Sequence, residues 1–136
     1  MLADERERCG MDVEKQIDYW RKGAEEDLAA AGALLEKQHL RQALFFGHLA
    51  IEKMLKAHVA GALTGTPPRT HDLLRLADTA GISLSGEQRA FLARFQQYCL
   101  EGRYPDYQPA APSREEAESG LRKAREVLSW LTSLLR

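Results

Sequence analysis

The chain has 136 residues, 44% hydrophobic and 29% charged, with a formal net charge of −1. That length supports one domain with a buried core and argues against a multidomain layout. The near-neutral balance supplies no whole-protein basic field, so any nucleic-acid contact has to be local. Cys9 and Cys99 lack metal-ligand spacing and are too few for a disulfide framework. Free thiols in a reducing cytosol are expected. The most apolar run is interrupted by Glu52, Lys53 and Lys56, so no membrane span is expected. The opening MLADERERCG has no apolar signal region. A cytoplasmic location is the expectation.

Residues 1–12 are polar and are read as a flexible extension, with Met11 offering an alternative start; residues 13–136 are read as the single domain. A first long helix is predicted over 13–36. Ile17, Trp20, Ala24, Leu28, Ala31 and Leu35 recur at spacings of three and four, and the alanine-rich segment allows close approach by a neighbour. Lys37 to His39 is a short turn, which predicts antiparallel packing of the helices on either side.

The second helix is predicted over Leu40 to Leu63. Its apolar residues make two stripes: Ala43, Phe46, Ala50, Met54 and Ala57, then Leu44, Gly47, Ile51, Leu55 and Ala62. Two stripes mean neighbours on more than one side, so this is the expected central helix. Glu52, Lys53 and Lys56 form its narrow charged strip. Glu52 and Lys56 stand four apart, in the favourable order for a helical ion pair, expected to be partly exposed.

Gly65, Pro67 and Pro68 end that helix. Thr70 is the expected cap of a short helix, with Asp72 in its first turn. Gly81 terminates it. Ser85 and Gln88 have capping-box spacing for the next helix, whose stripe is Phe91, Leu92, Phe95, Tyr98 and Cys99. The prolines of Gly102 to Pro112 impose an extended loop. Ser113 and Glu116 are a second capping box, opening a last helix with Ala117, Leu121, Ala124, Leu128, Leu131 and Leu135 on one face. No strand is predicted; the fold class is all-α.

Four segments, in order, carry a family resemblance. They are Trp20 with AEEDLAAAGALL (Ala24 to Leu35), QALFFGHLAIEKMLKA (Gln42 to Ala57), PPRTHDLLRL (Pro67 to Leu76) and GRYPDY (Gly102 to Tyr107). Together they resemble the HEPN domain. The resemblance implies a four-to-five-helix, mostly antiparallel bundle that forms a homodimer. It also implies a nucleotidyltransferase partner in a toxin–antitoxin-type module, and no cofactor. Many family members are metal-independent ribonucleases that use an Arg, four to six residues, then a His. Others bind nucleotides or proteins instead.

Such a ribonuclease needs a histidine to move a proton and an arginine to hold the phosphate. Arg103 best resembles the family arginine, but no histidine follows it at the required spacing. Arg41 and His48 satisfy Arg-x6-His, a match that chance also produces at this composition. Arg103 and His48 are therefore the catalytic candidates, with enzymatic activity expected to be absent or weak. The ligand-binding candidates are Arg103, Tyr104, Asp106 and Tyr107, which together suit stacking a base and holding a phosphate, with Lys53 and Lys56 adding positive charge. Tyr104 or Tyr107 is also a candidate acceptor for modification by the partner. The histidines show no HxxxH or HExxH pattern, so no metal site is expected. His48 and His58 are read mainly as packed, hydrogen-bonded side chains, and His71 as docking its loop onto the bundle.

The leading expectation is a non-catalytic or weakly active HEPN protein that binds a nucleotide or RNA, or partners a nucleotidyltransferase. The alternatives are an endoribonuclease toxin and a purely structural interaction bundle.

Overall fold

A computed structural model describes residues 2–99 and 110–135, with side chains from Val13 onward. It contains α1 (Leu2–Glu36), α2 (Leu40–Leu63), α3 (Leu73–Ala80), α4 (Gly86–Phe95) with a 3-10 turn at Gln96–Tyr98, and α5 (Arg114–Leu134). No strand occurs among the described residues. Helix α1 begins at Leu2, not at residue 13. The expected flexible extension falls on residues whose side chains are outside those described.

Helix α2 has the bounds the sequence predicts and lies at the centre, against α1, α3 and α5. Its two stripes are largely buried: Ala43, Leu44, Ala50, Ile51, Met54, Leu55 and Ala57 are all fully enclosed. Phe46 is only partly buried and Ala62 is exposed, so the stripes fade toward solvent at their edges. The α1–α2 connection is a tight turn with Gln38 at φ 66°. The helices run antiparallel, with Lys53 bridged to Asp27 and Gly61 facing Ile17. Helix α5 follows α2 in the same direction: Gly120 sits against Leu44, and the Leu131 carbonyl meets His58.

The charged strip of α2 differs from expectation. Glu52 is 3% and Lys56 8% exposed, so their pair is buried, not partly exposed. The reason lies elsewhere in the chain. His71 covers Glu52, and the Trp20 ring covers Lys56.

The caps of the shorter helices follow local side-chain chemistry. Asp72, not Thr70, is the N-cap of α3 and accepts from the Arg75 N–H. Thr70 accepts instead from the Asp72 N–H, holding the cap residue in place. Gly81, at φ 73°, ends α3 in the left-handed conformation that a glycine adopts without strain. Ser85 and Gln88 complete both halves of their capping box. At α5, Ser113 accepts from the Glu116 N–H, but the Glu116 carboxylate accepts from the Tyr98 hydroxyl at 3.0 Å. That diverted carboxylate ties the 3-10 turn to α5. The stripe of α4 joins the core, with Phe91 stacked on Phe95 at 4.9 Å and Tyr98 edge-on to Phe95 at 5.4 Å.

Candidate functional site

The densest polar cluster in the described structure centres on Glu52. Helical periodicity places Glu52 between His48, one turn before, and Lys56, one turn after. Lys56 Nζ donates to Glu52 Oε2 at 3.0 Å. The ring of His71, brought in by the segment that precedes α3, has Nδ1 2.8 Å from Glu52 Oε1. His48 Nδ1 lies 3.8 Å from the same oxygen, and its side chain is wholly buried. Lys56 Nζ also stands 5.2 Å from the centre of the Trp20 ring, a cation–π contact. Two of the four family-like segments thus meet at one carboxylate, and a third, that of Trp20, joins them through Lys56.

Chemically, the cluster is a compensated buried charge. A buried ammonium needs both a counterion and hydrogen bonds, and Glu52 supplies them. His71 is the solvent-facing member, with its side chain 42% exposed. Lys53, one residue after Glu52, points to α1, where Nζ lies 2.8 Å from Asp27 Oδ2. Its aliphatic stem passes close to Gly23, where a Cβ would come within 3.0 Å of Lys53 Cδ. Both lysines read as phosphate contacts therefore already hold carboxylates.

The other histidines divide by surroundings. His58 Nε2 is 2.8 Å from the Leu131 carbonyl, fastening α2 to α5. Burial pushes its pKa below the ordinary 6.5, and the carbonyl opposes that only in part. His39 is exposed in the α1–α2 turn. Arg41 and His48 stand two turns apart on α2, His48 in the core and Arg41 toward its margin. Among the described residues Tyr98 is also perturbed: burial first, then the bond to Glu116, raises its pKa from 10.0 to about 12.

Arg103, Tyr104, Asp106 and Tyr107 lie outside the described residues. Among the described residues, no three His, Cys, Asp or Glu side chains converge as metal ligands, and no helix is long and apolar enough to cross a membrane. Three members of the Glu52 cluster, Glu52 itself, Trp20 and His71, are not among the sequence-derived site residues. Trp20 reads as core and His71 as a loop anchor. The signal for both is their place inside the family-like segments.

Comparison with known proteins fits this architecture. The HEPN domain profile matches residues 17–134. The crystal structure of TT1696 from Thermus thermophilus superposes with a TM-score of 0.75 at 24% identity, over 88% of this chain and 98% of that one. No match to a curated protein was found. The periodicity, the four segments and the profile agree: the chain belongs to the HEPN domain family.

Proposed function

We propose that this HEPN domain binds a nucleotide or a short stretch of RNA and does not by itself cleave it at an appreciable rate. The observation that carries the reading is the burial of His48, whose side chain is 0% exposed. A general acid or base has to come within hydrogen-bond reach of a substrate hydroxyl. His48, the histidine of the one Arg-x6-His match, faces the Glu52 carboxylate inside the bundle instead. His58 is committed to a backbone carbonyl and His71 to Glu52, while His39 is exposed in the α1–α2 turn with no arginine at the required spacing before it. Binding rests on the family resemblance and on the Arg103, Tyr104, Asp106 and Tyr107 segment, whose residue types suit a base and a phosphate.

The test is an anisotropy titration of labelled single-stranded RNA, and of a labelled nucleotide, with wild type and Arg103→Ala. Saturable binding that weakens in the variant is expected. No binding of either ligand by wild type would overturn the reading.

A partner reading has its own support. Leu63 and Leu134 are 51% and 43% exposed, and the parallel course of α2 and α5 sets them at the same end of the bundle. A second copy of the chain, or a nucleotidyltransferase, would cover such residues. Light scattering coupled to gel filtration distinguishes a homodimer from a monomer; a monomer at all concentrations would oppose the homodimer.

A further inference from the structure

We propose that the outward face of α1 is a self-complementary surface on which a second copy of the chain lays its own α1 antiparallel, with Lys22 paired to Glu26 of the partner subunit. The inference rests on the homodimer reading above. It gives that dimer a face and a register, which the exposed Leu63 and Leu134 do not specify. Helix α1 turns about 100° per residue, so Ile17, Trp20, Ala24, Leu28, Ala31 and Leu35 form one stripe. That stripe packs on the core, with Ala24 and Ala31 fully enclosed. On the opposite side, within an arc of about 80°, run Lys15, Tyr19, Lys22, Glu26, Ala29 and Ala33. All six are exposed. Their alternating steps of four and three are those of a two-helix seam.

Two features set this face apart from an ordinary solvated one. The first is Tyr19, which is 67% exposed yet held by edge contact with the Trp20 ring, their centroids 5.0 Å apart. Trp20 is in turn fixed by Lys56. An exposed, pre-positioned tyrosine is the kind of anchor in which interfaces are enriched. The second is charge. Arg21 bridges Asp18 and Glu25, and Asp27 holds Lys53. Lys22 and Glu26 make no ion pair or hydrogen bond among the described residues. They stand four apart with the lysine first, the less favourable order for pairing within one helix.

An antiparallel partner satisfies both. A twofold axis at the level of Ala24 sets Lys22 against the partner's Glu26, Tyr19 against the partner's Ala29, and Lys15 against the partner's Ala33, each contact occurring twice. Opposite charges meet in the middle layers, and a large side chain meets a small one in the layers beside them. A groove of ≈ 460 Å³ runs along Lys15, Gln16, Tyr19, Trp20 and Thr66, where the partner's Ala29 and Ala33 arrive. Glu25 of the two copies approach on one flank, but each already faces its own Arg21 at 3.9 Å. One helix face makes a small interface, so the dimer is weak and its register is set by charge.

Sedimentation equilibrium of the full chain, from about 10 μM to about 1 mM so that a weak dimer is reached, tests the face. Wild type, Lys22→Glu, Glu26→Lys, Tyr19→Ala and an equimolar mixture of the two charge variants are compared. The substituted residues are exposed, so the variants are expected to keep the fold, checked by circular dichroism. Each charge reversal sets like charges opposite each other at both pairs, and should weaken the dimer about tenfold or more. Tyr19→Ala should weaken it about tenfold through loss of the anchor. Mixing the two charge variants restores opposite charges at both pairs, so the mixture should dimerise about as well as wild type. A dimer unchanged by either reversal would overturn this face and leave the homodimer to another surface. Charge variants that dissociate but do not recover on mixing would overturn the pairing. Wild type that stays monomeric throughout would remove both the face and the homodimer.

Discussion

His71 Nδ1 and Glu52 Oε1 are 2.8 Å apart, which fastens the segment before α3 to the middle of α2. The same carboxylate holds Lys56 through its other oxygen. One buried side chain thereby sets the position of a loop, a lysine and, through that lysine, the Trp20 ring of α1.

Removing the charge of Glu52 should therefore be costly. Glu52→Gln keeps the volume but leaves Lys56, whose side chain is 10% exposed, without its counterion. A loss of about 3 kcal/mol is expected, the usual scale for breaking a buried pair. Adding Lys56→Met to that variant should recover most of the loss, because the uncompensated ammonium is then gone. Urea unfolding of wild type and both variants measures this. A double variant no more stable than Glu52→Gln would contradict the account.

That junction also shows what the sequence can and cannot convey. The bounds of α2 are readable because a short turn precedes it and Gly65, Pro67 and Pro68 follow it. The Ser85–Gln88 box is readable because both partners lie within one helical turn. The burial of Glu52 and Lys56 is not readable. A spacing of four residues is the same for an exposed pair and a buried one, and the covers, Trp20 and His71, come from distant segments. Thr70 and Asp72 are both good cap residues two positions apart, so only the backbone can choose between them. Glu116 leaves its box for Tyr98, a partner that no local pattern announces. Of the candidate site, the local Glu52–Lys56 pair is legible. The Arg103 segment lies outside the described residues.

Acid should weaken the fold partly through His58. Its folded pKa is depressed below 6.5, so the native state resists a proton that the unfolded chain accepts. The sign follows: its contribution is complete above the unfolded pKa and is lost as pH falls from about 6.5 toward the folded value. Urea midpoints compared at about pH 7.5 and about pH 5 should show this loss, and His58→Gln should shrink the difference. An undiminished difference in the variant would assign the acid sensitivity elsewhere.

Two glycines on α2 should respond oppositely to alanine. At Gly47 a Cβ would come within 3.3 Å of Leu121 Cδ1 and 3.3 Å of Phe95 Cζ, both in the packed core. Gly47→Ala is expected to destabilise by about 1–3 kcal/mol through overpacking. At Gly61 the nearest atom is Ile17 Cδ1 at 3.4 Å, an ordinary contact. Gly61→Ala should stabilise by about 0.5–1 kcal/mol, since alanine loses less backbone freedom in a helix. Denaturant unfolding reads both signs.

Alkaline titration should single out Tyr98. Its hydroxyl ionises at about 12, against an ordinary 10.0. The absorbance of phenolate should show a late step that Tyr98→Phe removes and Glu116→Gln moves partway down. The stability held by the protonated phenol is complete below pH 10.0 and is lost as pH rises toward 12. A late step that persists in Tyr98→Phe would contradict the assignment.

The central claim is binding without self-sufficient cleavage, and one gel tests it most directly. End-labelled RNA is incubated with wild type, Arg103→Ala and His48→Ala at concentrations where wild type is saturated, and its length is followed over time. The account predicts intact RNA, with the same background in all three. Cleavage by wild type that either substitution abolishes would contradict it.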